Sequence, residues 1–165
     1  MNPKEFHADQ QHIRDLFVGT WNLITFSVSM EGSEQKKYPL GTKALGRIIY
    51  ANDGYMNATL SHQIRPQFSV VLEQSHMASN RDKITAFDTY MNYSGRYLIF
   101  PIDQNSGTIE HHVDMALNPL LIGNIQIRKY NLVNPKQLFL SYDWEKEGRT
   151  GIQRYHFQLQ WEKQD

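Results

Sequence analysis

The chain has 165 residues, 17 basic and 17 acidic side chains, seven histidines and no cysteine. Disulfides, thiolate metal sites and cysteine nucleophiles are therefore excluded, and the balanced, unclustered charge lacks the basic stripe of a nucleic-acid binder, so no nucleic-acid partner is expected. The length suits one domain over residues 1–165; with no apolar h-region in Met1 to Asp15 and no run of membrane-spanning length, a cytoplasmic protein without a membrane partner is expected.

Residues 1–15 form a polar lead-in, and His12 to Phe17 suit a short helical turn. Phe17 to Met30, rich in β-branched and aromatic residues, reads as a long first strand, followed by a polar connection from Glu31 to Leu40. Leu45 to Tyr50 and Tyr55 to Leu60 flank Asn52-Asp53-Gly54, whose residues suit a tight reversal, so a hairpin is predicted. The pattern loosens around Pro66. Arg81 to Asn92 then sets Ile84, Phe87, Tyr90 and Met91 at helical spacing, which predicts an amphipathic helix capped by Asn80.

Arg96 to Ile102 is the next strand, and the turn residues Asp103 to Gly107 reverse it into Thr108 to Leu117. Asn118-Pro119 ends that strand and Gly123 opens Ile125 to Val133, which Asn134-Pro135-Lys136 turns into Gln137 to Trp144. A polar loop from Glu145 to Gly151 leads to a last strand from Ile152 to Glu162. Eight strands in up-and-down order, with a short helix between the third and fourth, predict an all-β antiparallel barrel. A two-sheet sandwich is the rival, because periodicity does not separate a closed sheet from a split one.

Gly19-Thr20-Trp21, Tyr38-Pro39-Leu40-Gly41, Gly46 to Tyr50, Asp53-Gly54-Tyr55-Met56, Tyr93-Ser94-Gly95-Arg96-Tyr97 and His111-His112-Val113 together resemble the bacterial lipocalin-like domain family, over roughly residues 16–162. The resemblance implies a small lipocalin-like barrel in a family mostly of unknown function, some members lying beside genes of secondary metabolism. Related barrels carry apolar ligands or catalyse cyclisations and isomerisations. It also implies that Trp21 plugs the closed end, covered by an arginine near the last strand; Arg154 lies early in that strand and Lys163 ends it, so this sequence departs from the family pattern there.

Side chains alternate faces along a strand, so taking the more apolar set of each strand as inward yields a cavity lining. That choice turns Ile48, Tyr50, Met56, Ala58, Leu60, Tyr97, Ile99, Ile109, His111, Val113 and Met115 inward. Tyr130 and Leu132, which carry Gln126 and Arg128 with them, and Leu138, Leu140, Tyr142, Tyr155, Phe157, Leu159 and Trp161 complete the wall. The expected ligand-binding residues are Tyr50, Met56, Tyr97, His111, Met115, Gln126, Arg128 and Tyr142, a mostly apolar set with a few orienting polar groups. The tyrosines at 50, 93, 97 and 130 can each hydrogen-bond a ligand oxygen, or serve as core.

Arg128 is the sharpest member, because a guanidinium inside a barrel needs an anionic partner unless it reaches water at the rim. His111 is a candidate general acid or base, or a hydrogen-bonded structural residue. His111 and His112 point to opposite faces and cannot chelate one ion together, so no metal site is expected. A register slip of one residue would instead turn Glu110, His112 and Asp114 inward as a metal or base cluster. No nucleophile elbow or phosphate loop is present and no cofactor is expected.

Three functions follow. The first is binding of a small, largely apolar molecule with an oxygenated or anionic end. The second is a cofactor-independent isomerase or cyclase acting on a secondary-metabolite-like substrate, with His111, Arg128 and Tyr97 as the catalytic candidates. The third is an interaction protein whose barrel is filled by its own side chains. Ile49, Ile125 and Ile127 on the outer face point to an association surface, with a homodimer as the candidate assembly.

Overall fold

The computed structural model describes residues 11–65, 72–148 and 151–164. The pattern break at Pro66 and the first ten residues of the lead-in lie outside the described residues. Residues 11–17 are helical (α1). Nine strands follow: β1 (Gly19–Met30), β2 (Lys36–Lys37), β3 (Leu45–Tyr50), β4 (Tyr55–Ser61), β5 (Tyr90–Pro101), β6 (Ser106–Ala116), β7 (Ile125–Asn134), β8 (Gln137–Gly148) and β9 (Gly151–Lys163). They make one antiparallel sheet in the order β2-β1-β3-β4-β5-β6-β7-β8-β9, and pairing of β1 with β9 closes it. Eight strands form the expected up-and-down barrel, and closure excludes the sandwich. β2 is a two-residue addition that pairs Lys36 and Lys37 with Ser29 and Val28.

Alternation holds the core together. Ile48, Tyr50, Met56, Ala58, Leu60, Tyr97, Ile109, His111, Val113, Tyr130, Leu132, Leu138, Leu140, Leu159 and Trp161 are buried inside, while Glu110, His112 and Asp114 face out. The slipped register is therefore not adopted; His112 bonds Glu110 at 2.9 Å on the outer wall instead.

Two bulges break strict parity. Asp114 is an extra residue opposite the Ser94–Gly95 step of β5, so the inward positions of β6 pass from Val113 to Ala116. Met115, expected inside, is corrected to an outward position, 66% exposed. Gly95 makes this bulge possible, because a Cβ there would stand 1.8 Å from the carbonyl oxygen of His112. Ile24 plays the same part in β1, passing the inner face from Leu23 to Phe26.

The expected helix is shorter and earlier than its spacing suggests. A 3-10 segment (Leu72–Met77) precedes α2 (Asn80–Asp88), whose cap is Ser79 rather than Asn80; its hydroxyl accepts from the Asp82 backbone N–H at 3.1 Å. Tyr90, Met91 and Asn92 belong to β5, where they pair with Ser61, Leu60 and Thr59. The aromatic and apolar residues that matched a helical period also match a strand, and sheet pairing decides between them. The expected loop from Glu145 is also strand: β8 and β9 stay paired to Gly148 and Gly151, tied by Arg154 to Glu145 at 2.7 Å.

One barrel end is closed. Phe17, at the end of α1, packs edge-on to Tyr50 and Tyr130 at centroid distances of 5.3 and 5.0 Å, and the Trp21 indole donates to its carbonyl at 2.8 Å. Lys163 stands over the Trp21 ring at 5.2 Å and donates to the Leu16 carbonyl at 2.8 Å, so it is the cation that covers the tryptophan. Arg154 instead faces Glu31 and Glu145 on the outside.

Candidate functional site

The opposite end is open, between the start of β5, the end of α2, the 3-10 turn Pro119–Leu121 and the start of β7. A cavity of about 310 Å³ occupies it, lined by Phe87, Asp88, Tyr90, Met91, Asn92, Tyr93, Leu117, Asn118, Leu121, Gln126, Arg128 and Tyr142. This lies at the low end of small-molecule sites and has their usual composition. A second void of about 30 Å³ lies deeper, among Phe26, Ile48, Ala58, Leu60, Leu140, Leu159 and Trp161. Met91, Tyr93, Arg128 and Tyr142 line both and form the partition between them.

Arg128 is half-buried, with its guanidinium 4.1 Å from the centre of the Tyr142 ring. It donates to the carbonyl of Ile127 at 2.8 Å and to Gln126 Oε1 at 3.3 Å. Among the described residues no carboxylate lies within ion-pair distance of it. Its charge is thus compensated by dipoles and a ring face, not by an anion.

Below the partition a polar chain runs through the core. His111 is fully buried; its Nε2 is 3.0 Å from the Tyr50 hydroxyl and its Nδ1 is 3.0 Å from the Tyr93 hydroxyl. Burial lowers its pKa from 6.5 to about 3, with the charges of Arg128 and His112 acting in the same direction. Burial likewise raises Tyr50 and Tyr93, and at Tyr93 the neighbouring Arg128 opposes the rise. A neutral imidazole with both nitrogens engaged is poorly placed to take a substrate proton. The geometry makes His111 an internal hydrogen-bond hub.

The expected site residues fall into three groups. Gln126, Arg128 and Tyr142 stand on the cavity wall. Tyr50, Met56, Tyr97 and His111 are buried but line neither void, and the Tyr97 hydroxyl donates to the Ala51 carbonyl at 2.9 Å beside the closed end. Met115 is outside. His111 and Arg128 do not converge on one point; Tyr93 stands between them. Among the wall residues, Tyr90 and Met91 escaped sequence reasoning because the expected helix runs past its true end at Asp88, Phe87 because a helix face was not tied to the barrel mouth, and Leu117 and Leu121 because they lie beyond the β6 bulge, where strand alternation assigns no face. Ser79-x-x-Asp82, an N-terminal capping pattern, could have placed the start of that helix one residue earlier, but it says nothing of its end.

A closed eight-stranded antiparallel barrel, plugged by a tryptophan at one end and hollow at the other, belongs to the class of small up-and-down barrels whose interior has room for a small molecule. More narrowly, the family model described as lipocalin-like domain matches residues 18–164, and the chain belongs to that family. No curated protein matches it. One of the solved structures that match is a polyisoprenoid binding domain from Saccharophagus degradans implicated in plant cell wall breakdown. It is 10% identical, with 87% of this chain and 98% of that one covered and a TM-score of 0.32. Among the described residues no helix is long and apolar enough to cross a membrane.

Proposed function

We propose that the barrel binds one small, largely apolar molecule at its open end, with an oxygenated or anionic terminus held by Arg128. The observation that carries this reading is the half-buried guanidinium without an acid partner among the described residues, in a cavity wall where Phe87, Met91, Leu117, Leu121 and Tyr142 supply the apolar surface. A carboxylate or enolate there would form charge-assisted, bidentate hydrogen bonds in a partly dry site, while the apolar wall takes the rest of the ligand. The catalytic alternative gains little support, because His111 is neutral and engaged on both sides. In this reading the protein acts in the cytoplasm, and the exposed Ile49, Ile125 and Ile127 form a homodimer face, which light scattering across a concentration series tests.

Isothermal titration with decanoate and with decanol tests the site. The wild-type protein is expected to prefer decanoate. Arg128→Met, which keeps the apolar stem, should weaken decanoate about 10- to 100-fold, as expected for loss of a hydrogen bond to a charged group. Equal affinity of the two proteins for decanoate would sink the reading.

A further inference from the structure

The hydrogens of the buried chain can be counted. The Tyr50 hydroxyl, the neutral His111 ring and the Tyr93 hydroxyl each carry one hydrogen, three in all, and the chain holds two hydrogen bonds. One hydrogen is therefore left over, on one of the two tyrosines. If Nε2 carries the ring hydrogen, it bonds to the Tyr50 oxygen, and the Tyr50 hydroxyl must find an acceptor elsewhere. Tyr50 is 1% exposed, lines neither void, and its hydroxyl makes no other hydrogen bond among the described residues. An orphaned donor there is strongly disfavoured.

If Nδ1 carries the hydrogen, Tyr50 donates to Nε2 and is satisfied. The Tyr93 oxygen then accepts from Nδ1–H, and its own hydrogen is free to turn elsewhere. Tyr93 borders both voids and stands next to Arg128. The nearby polar groups of fixed sense point the same way. Gln126 Oε1 is taken by Arg128, which leaves its amide as a donor, and the buried Trp161 indole N–H, beside the inner void, has no partner among the described residues. At the partition the groups of fixed sense, the Arg128 guanidinium and the freed Tyr93 hydroxyl, are donors, and the Tyr142 hydroxyl, which lines both voids, can turn to donate as well; the Asp88 carboxylate belongs to the outer cavity alone.

We infer that His111 is held as the Nδ1–H tautomer, and that it thereby fixes Tyr93 as a hydroxyl donor beside Arg128, so that the site selects a ligand end built only of acceptors. This rests on the reading of the open end as a binding site, and it narrows the ligand class to a carboxylate or a deprotonated enol, against an alcohol, amide or protonated acid. Tyr50 and His111 act as positioning residues; Tyr93 is the one that touches the ligand.

Heteronuclear NMR of the imidazole rings in uniformly nitrogen-labelled full-length protein at neutral pH reads the tautomer without any ligand. A protonated Nδ1 with an unprotonated Nε2 on His111 is expected. The reverse tautomer would overturn the inference, because Tyr93 would then present a lone pair. Titration of Tyr93→Phe with decanoate is expected to show about a 10-fold loss, with Arg128→Met keeping the wild-type His111 tautomer. Unchanged decanoate affinity in Tyr93→Phe would also overturn it. Failure of the wild-type protein to bind decanoate would count against the proposed function alone, and the tautomer would still decide this inference.

Discussion

Lowering the pH should destabilise this barrel through His111. The unfolded chain takes up a proton on this histidine near pH 6.5, whereas the folded chain resists until about pH 3. Between those values the unfolded state binds more protons, so stability falls as pH is lowered through the window and is fully present above it. One proton contributes at most about 1.4 kcal/mol per pH unit, which gives a loss of about 2.5 kcal/mol between pH 7 and pH 4.5. That is a large share of the stability of an ordinary domain. Asp103 and Asp143, both with carboxyl groups held below their ordinary value by hydrogen bonds, from Ser106 and from His156 respectively, add acid sensitivity only below about pH 4, outside the chosen range. The assay is urea unfolding by tryptophan fluorescence at several pH values from 7 to 4.5, for the wild type and for His111→Gln, which removes the titration and keeps an amide between the tyrosines. The variant should lose roughly 1–3 kcal/mol at pH 7 through imperfect bonding and show a much flatter pH profile. Parallel profiles for the two proteins would refute the argument, since the acid sensitivity would then come from elsewhere.

Lys163→Met should cost about 1–2 kcal/mol, the sum of one cation–π contact and one hydrogen bond to Leu16, and lower Tm by about 3–6 °C in a thermal melt, whereas Lys163→Arg should retain most of it. Gly95→Ala should cost more than about 4 kcal/mol and prevent folding by circular dichroism, because its Cβ meets backbone at the bulge. Gly32→Ala, at φ +77° but with nothing within 4 Å, should cost only about 1–2 kcal/mol. The helix α2 buries none of its side chains, so trypsin should cut after Arg81 or Lys83 in the free protein, and decanoate should slow that cleavage if Phe87 closes on the ligand. No change in cleavage rate would separate α2 from binding.

The fold was legible where period-two alternation ran undisturbed. On β3, β4 and the middle of β6 the apolar set is the buried set, and the turn residues of Asn52-Asp53-Gly54 mark the hairpin they form. Legibility failed where a backbone irregularity changed the parity. Nothing in Val113-Asp114-Met115 announces that Asp114 is extra; that follows from how β6 lies against Gly95, a long-range fact. The site was half legible for a related reason. Arg128 is recognisable because charge inside a barrel is rare, but Tyr93 gains its meaning only from lying between His111 and Arg128, and the Tyr90–Met91 spacing hid the start of its strand. The plug shows the same limit, since Lys163 covers Trp21 by position in space, which residue type alone does not reveal.

The two ends of the barrel also divide the burden of mutation. Phe17, Trp21, Tyr50 and Tyr130 lock the closed end, where almost every substitution must be felt in stability. The hollow end is framed by residues such as Phe87, Leu117 and Leu121, none of which is fully buried. Changes there alter what fits the cavity while leaving the locked end untouched. A barrel arranged in this way is evolvable: the shape of its mouth can drift by single steps, each nearly neutral for folding.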